Sequence, residues 1–491
     1  MPCQIGLYKR APRQYVVLII KGLEWPLSRL RLDFRVADRN IQGNLGQYRD
    51  SLGVFVSFSG QFWLSHTLLT AIVRAPQGIM LVSLPFYGGK NKSNIMALKV
   101  TTTNQVPPFL AMAMMDATRA EEAAGNAVIH LEVGQPSTPP PASVTNALTA
   151  ALGTLTTHSY SVAFGQIALR ERIAAHYQDW HNIRPDVARI AITPGSSMGF
   201  ALAFLGAFDR GDKIAIANPG YPAYRNLLLA LGLEPILLPA GAEQDWTPQL
   251  EELQKSGDLP DGLLLASPAN PTGVVMSNEE LSSVAKWCDA NGVRLIMDEI
   301  YHGLNFGPKP ASVLEYSDSA IVINSFSKYF CMTGWRVGWA ILPEDLIETC
   351  ERLAQNMYIS AARPMQEGAI AAFDNYPELD AHVARYRENC DILMRELPAE
   401  FLGEVAPSTG AFYLYADISN LANGQVNSLD MSAAMLRDIH VACTSGLDFD
   451  QQNGHHHIRL SYAGATADMK EASRRINSWL PKYLKTVGSD R

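Results

Sequence analysis

Cysteine is scarce in this sequence: six residues in 491 (Cys3, Cys288, Cys331, Cys350, Cys390 and Cys443), with no CxxC pair and no accompanying histidine spacing. That pattern argues against both a disulfide framework and a zinc site and suits a reducing, cytoplasmic setting. Excess positive charge is lacking as well. The formal net charge is -8, and an acidic body has no basic surface with which to bind a phosphate backbone, so nucleic acid is not an expected partner. Long apolar runs are also missing. The least charged stretch, Ser51 to Val73, has the length to span a bilayer but is diluted by Ser, Gly, Gln and His66, so a membrane anchor is not expected. The start lacks the order of a secretory signal, although Lys9, Arg10 and Arg13 precede the apolar run Tyr15 to Ile20. No internal repeat or low-complexity tract is evident.

What is present points to a globular protein of more than one domain. A chain of 491 residues exceeds one ordinary core, and an apolar fraction of 47% is ample to fill several. Charge is unevenly spread: residues 1–95 hold 12 Lys/Arg against 4 Asp/Glu, leaving 28 against 44 in the remainder. The change of texture falls near Met96. Residues 1–95 are therefore expected to be a basic segment apart, either a poorly ordered extension or the product of a start upstream of Met96.

From about Ala188 onward, short β-branched apolar runs alternate with amphipathic stretches of helical length, the pattern of a largely parallel sheet covered by helices. The runs are RIAIT (189–193), KIAIA (213–217), PILLP (235–239), GLLLA (262–266), RLIMD (294–298), AIVIN (320–324) and GWAIL (338–342). This predicts an α/β fold with a seven-stranded sheet. Loops such as PGSSMG, NPGYPAY, SPANPTG, DEIYHG and SFSKYF follow the runs, and ligands of open α/β sheets bind at the carboxyl ends of strands. Between runs, SNEELSSVAKWCDANG reads as a helix with Ser277 as N-cap, Glu280 completing a capping box and Gly292 at its end. After Pro343 the texture shifts to longer helical patterns, including YPELDAHVARYRENCDILMRELPAEF, and to strand-like FYLYADIS and HHIRLSYA. The domains expected are an N-terminal arm with part of a small domain (96–150), a large domain (151–343) and a smaller α+β domain (344–491).

Several residues carry chemistry. Lys328 follows a buried run and is surrounded by Phe326, Tyr329, Phe330, Cys331 and Met332. Desolvation favours its neutral amine, the form that attacks a carbonyl, although a lysine near apolar residues is by itself as consistent with a solvated loop. Asp298 ends the run VRLIM at the sheet's carboxyl edge, where a carboxylate needs a cationic partner. The loop TPGSS suits phosphate: Gly195 permits close approach, and the N–H groups of Ser196 and Ser197 project from a helix N-terminus. The three histidines His455 to His457 read as solvated loop residues, because adjacent strand positions face opposite ways and rarely share a metal.

From roughly Asn104 to the C-terminus the sequence resembles the fold-type I aminotransferases of class I/II. The likeness rests on SFSK followed eight residues later by Arg336, on DEIY, on SPANPTG and on NPGYPAY. The resemblance implies pyridoxal 5′-phosphate, held as a Schiff base by Lys328, with Arg336, Ser196, Ser197, Ser325 and Ser327 around its phosphate. It further implies that Asp298 pairs with the ring nitrogen, that Tyr301 and Asn270 bond the phenolic oxygen, and that Tyr221 stacks on the ring. Arg459 and Gly134 match the residues around the substrate's α-carboxylate. Tyr160 matches a tyrosine that reaches the neighbouring subunit's cofactor, which implies a homodimer. The implied activity is ping-pong exchange of an amino group between an amino acid and a 2-oxo acid. Two alternatives remain on the same fold: a β- or γ-eliminating lyase or synthase, and a sensor domain of a transcription regulator.

Overall fold

The computed structural model describes residues 106–255 and 259–489, together with the backbone of five strands nearer the start. The chain divides into two compact units, Met1–Val100 and Thr101–Arg491. In the first, Cys3–Tyr8 lies between Tyr15–Ile19, antiparallel to it, and Phe34–Val36, parallel to it, while Leu68–Ala75 and Gly78–Pro85 pair as an antiparallel hairpin. Most of the stretch Ser51 to Val73, and Met96, lie outside the described residues.

The second unit is built on a seven-stranded sheet. Its strands are β1 (Ile190–Thr193), β2 (Lys213–Asn218), β3 (Glu234–Pro239), β4 (Gly262–Ala266), β5 (Arg294–Asp298), β6 (Ile321–Ser325) and β7 (Gly338–Ile341). They lie in the order β1-β7-β6-β5-β4-β2-β3. Only β7 runs antiparallel to its neighbours, β6 and β1. The runs are apolar at nearly every position because both faces are covered. Ile192, Ala215, Leu263, Leu265, Leu295, Met297 and Val322 pack into one cluster. The alternating residues Ala191, Ile214, Ile216, Leu264, Ile296, Ile321 and Ile323 pack into a second. Period-two alternation thus sends each strand's side chains to two helical layers.

Helix Asn278–Asn291 starts where predicted. The Ser277 Oγ accepts from the Glu280 N–H at 3.1 Å, Glu280 accepts from the Ser277 N–H at 2.7 Å, and Gly292 closes the helix at φ 69°. The helix expected from Tyr376 through Phe401 is shorter, ending at Glu396. Pro398 disfavours helical backbone at Leu397, and the chain resumes in a short turn, Ala399–Leu402.

The smaller sheet takes Tyr413–Asp417, His457–Ser461 and Thr444–Ser445 in antiparallel order, with Tyr415 opposite Arg459. Strand Ile129–His130, early in this unit, pairs in parallel with Val441–Ala442. The three histidines are not a solvated loop. His455 and His456 form a single turn of 3-10 helix, and His457 opens the strand, half-buried, its ring stacked on Tyr415 with centroids 4.8 Å apart.

Candidate active site

The chain leaves β6 at Ser325 and re-enters the sheet antiparallel as β7 at Gly338, so the intervening loop, with Lys328 and Arg336, lies at the carboxyl edge of the parallel strands. Phe326, Tyr329, Phe330 and Met332 are buried and anchor the loop in the core. Lys328 is half-buried and its Nζ donates to the Gly134 carbonyl oxygen. Burial, reinforced by the nearby Arg459 charge and opposed by Asp298, lowers its pKa from 10.5 to about 8. Roughly a tenth of the amine is then neutral at pH 7, far more than at an ordinary lysine.

Asp298 is the last residue of β5, aligned with Ala266 of β4 and Ile323 of β6. Among the described residues its carboxylate bonds no cationic side chain. It accepts instead from the Tyr224 hydroxyl and from the Ile300 N–H at 3.0 Å. Burial outweighs both bonds and raises the carboxyl from 3.8 to about 6. Tyr224 was not singled out from the sequence. Its signal was available: in NPGYPAY it follows Tyr221 by three residues at the start of helix Pro222–Leu231, a spacing that sets the pair on one face. Their rings meet edge to face at 5.2 Å. Tyr221, half-buried, also meets the Phe109 ring at 5.9 Å.

After β1 the chain turns at Gly195 (φ 75°) into helix Ser196–Ala207, whose N-terminus has no side-chain cap. A Cβ at Gly195 would lie 2.1 Å from the Arg336 Nη2, so only glycine lets the guanidinium approach this turn. The Arg336 guanidinium thus lies beside the N-terminus of this helix, whose first residues are Ser196 and Ser197. Ser325 and Ser327 are buried, their hydroxyls bonded at 2.8 Å.

On the side of the smaller sheet, Arg459 is buried. It donates to the Asn270 Oδ1 at 2.9 Å and to the Glu132 carbonyl at 2.6 Å. Its guanidinium lies between the rings of Tyr413, at 4.4 Å, and Phe449, at 4.6 Å. Tyr301, on the turn after β5, bonds the Tyr413 hydroxyl at 2.7 Å. Tyr413 was likewise not anticipated, because its place depends on the pairing of two distant strands. Tyr160 is not among the residues gathered here; it is 77% exposed.

Lys328 thus meets Gly134 and Tyr301 and lies near the charges of Asp298, Arg459 and Arg336, Arg459 bonds Asn270, and Tyr221 lies near Asp298, Arg459 and Arg336. Residues 126–476 match the family model described as aminotransferase class I and II. The chain belongs to the class I and II aminotransferases. The valine–pyruvate aminotransferase of Mycobacterium tuberculosis is 42% identical over 390 residues, 79% of this chain and 100% of that protein. The (5-formylfuran-3-yl)methyl phosphate transaminase of Methanocaldococcus jannaschii is 32% identical over 382 residues, 76% of this chain and 97% of that one. The crystal structure of an aminotransferase from Mycobacterium tuberculosis aligns with TM-score 0.75 and 41% identity, covering 78% of this chain and 99% of that chain. Aspartate aminotransferase from Thermus thermophilus with maleate shares the fold, with TM-score 0.72 and 24% identity over 77% of this chain and 99% of that one.

Like its family, this aminotransferase depends on pyridoxal phosphate and moves an amino group between an amino acid and a 2-oxo acid. Its residues fit that cofactor. Asp298 is enclosed and, among the described residues, bonded by a hydroxyl and an amide, which leaves it suited to a ring N–H cation. At Gly195 the absence of a side chain lets the Arg336 guanidinium close on the N-terminus of helix Ser196–Ala207, and a cation beside uncapped helix N–H groups suits a phosphate.

Proposed function

We propose that this aminotransferase works by alternating half-reactions and exchanges the amino group of an apolar amino acid such as valine with pyruvate. The observation that carries the reading of the site is the nearness of the Asp298 carboxylate and the Arg459 guanidinium to the Lys328 amine. The choice of substrate is supported by the 42% identity to the valine–pyruvate enzyme across that protein's whole length. The Phe109 ring beside Tyr221 also presents an apolar wall.

In this reading Arg336, Ser196, Ser197, Ser325 and Ser327 hold the cofactor's phosphate end, Tyr221 covers its ring, and Asn270 and Tyr301 face its phenolic oxygen. Bound pyridoxal phosphate supplies an electron sink for the charge that develops at the substrate's α-carbon. Asp298 would hold a proton on the ring nitrogen. Arg459 takes the substrate's α-carboxylate in a two-pronged grip, beside Gly134, which has no side chain to obstruct it. The Lys328 amine would take the proton from the substrate's α-carbon and return it.

We place the enzyme in the cytoplasm as a homodimer. The buried free thiols Cys288, Cys331, Cys350, Cys390 and Cys443 support a reducing compartment. No helix among the described residues is long and apolar enough to cross a membrane. Leu155, Tyr160, Val162 and Ile167, 57% to 85% exposed within one short stretch, form a surface suited to a second copy, with Tyr160 reaching that copy's cofactor.

The test is a panel of amino donors with pyruvate as acceptor. Valine is expected to exceed aspartate and glutamate in kcat/KM by at least about tenfold, ~1.4 kcal/mol of discrimination. Preference for an acidic donor would overturn the substrate assignment, and release of ammonia in place of alanine would favour the lyase alternative.

A further inference from the structure

Tyr413 occupies a junction. Its ring is 1% exposed and its hydroxyl oxygen lies 2.7 Å from that of Tyr301, itself 4% exposed. Tyr301 is the one hydrogen-bond partner of that hydroxyl among the described residues. The same oxygen lies 1.9 Å from where a Cβ on Gly134 would stand, so the absence of a side chain at Gly134 is what admits it. The carbonyl of that glycine holds the Lys328 amine. The Arg459 guanidinium lies over the Tyr413 ring at 4.4 Å. A phenylalanine would serve equally as a platform for Arg459, and burying a hydroxyl is costly unless it is bonded. The hydroxyl therefore calls for an explanation of its own.

We infer that Tyr413 is a positioning residue that donates its hydroxyl proton to Tyr301 and so fixes Tyr301 as a donor toward the cofactor's phenolic oxygen, a role that rests on the placement of Tyr301 proposed above. A phenol has one proton to give and lone pairs with which to accept. If the Tyr301 proton points to the cofactor, the Tyr301 oxygen must accept, and Tyr413 is the group in reach. Burial pushes both phenols above their ordinary range, so both keep their protons. Successive donors polarise one another, which strengthens the outer bond. The arm that holds the substrate's carboxylate, Arg459, and the arm that touches the cofactor, Tyr301, then share one ring.

The experiment is a pH titration of the holoenzyme's visible absorbance without substrate, on the wild type, Tyr413→Phe, Tyr301→Phe and the double variant. Tyr413→Phe keeps the ring against Arg459 and removes only the hydroxyl. A weaker donor leaves more negative charge on the phenolic oxygen, which binds the neighbouring proton more tightly, so the titration midpoint rises. Tyr413→Phe is expected to raise it by about half a pH unit, Tyr301→Phe by more, and the double variant by no more than Tyr301→Phe alone. A midpoint unmoved in Tyr413→Phe while Tyr301→Phe shifts would overturn the inference and leave the placement of Tyr301 standing. A Tyr413→Phe effect retained in full on the Tyr301→Phe background would also overturn it, since Tyr413 would then act by another route. No shift in Tyr301→Phe would overturn both. Thermal unfolding of each apoprotein separates loss of the hydroxyl from loss of the fold.

Discussion

Asp298 and Glu299 are adjacent, both enclosed, and aimed at opposite faces of the sheet. Asp298 meets Tyr224 on one face; on the other, Glu299 accepts from Tyr177 at 3.2 Å, Ser312 at 2.9 Å and the Val313 N–H at 2.9 Å. Burial outweighs these bonds and raises Glu299 from 4.5 to about 7. Because the folded form binds the proton more tightly than the unfolded chain, the stability linked to Glu299 is full below about pH 4.5 and is lost as pH rises through about 7. Replacing Glu299 with Gln is expected to flatten the apoprotein's unfolding free energy across that window by on the order of 2 to 3 kcal/mol. Urea titrations at several pH values measure this, and an unchanged slope would show that Glu299 ionises freely in the fold. From sequence, Asp298 stood out because a carboxylate closing an apolar run is anomalous. Glu299 carried no such mark: its partners Tyr177, Ser312 and Val313 come from distant segments.

At the scale of elements, what could be read from sequence was what is set locally. All seven apolar runs form strands of the one sheet, because a strand buried on both faces leaves a continuous apolar signature. The capping box at Ser277 was legible for the same reason. The helix that overran Pro398 and the histidines at 455–457 were read less well, since their outcomes depend on a neighbouring proline and on a ring, Tyr415, brought in by strand pairing. The turn at Gly195 combines a positive φ with a close approach to Arg336. Gly195→Ala is expected to cost about 1 to 2 kcal/mol in backbone strain and to push Arg336 away, weakening cofactor affinity about tenfold or more. Equilibrium dialysis of the cofactor against the apoenzyme tests this, and unchanged affinity would remove Arg336 and this turn from the phosphate site.

Across the whole molecule, the basic residues 1–95 stand apart in composition, and Met1–Val100 forms its own compact unit. The 390 residues matched to the valine–pyruvate enzyme account for that enzyme's full length, which leaves about a fifth of this chain without a counterpart in it. A protein beginning at Met96 is therefore expected to bind cofactor and turn over as the full chain does; a lost cofactor band would mean that the first segment contributes to the site.

The most direct test of the chemistry is to add single amino acids to the holoenzyme with no 2-oxo acid present and follow its visible absorbance, alongside Lys328→Ala. One equivalent of 2-oxo acid per site, released as the yellow band is lost, together with no turnover in the variant, is the result predicted for a transaminase whose proton carrier is Lys328. Ammonia release, or turnover retained in Lys328→Ala, would contradict it.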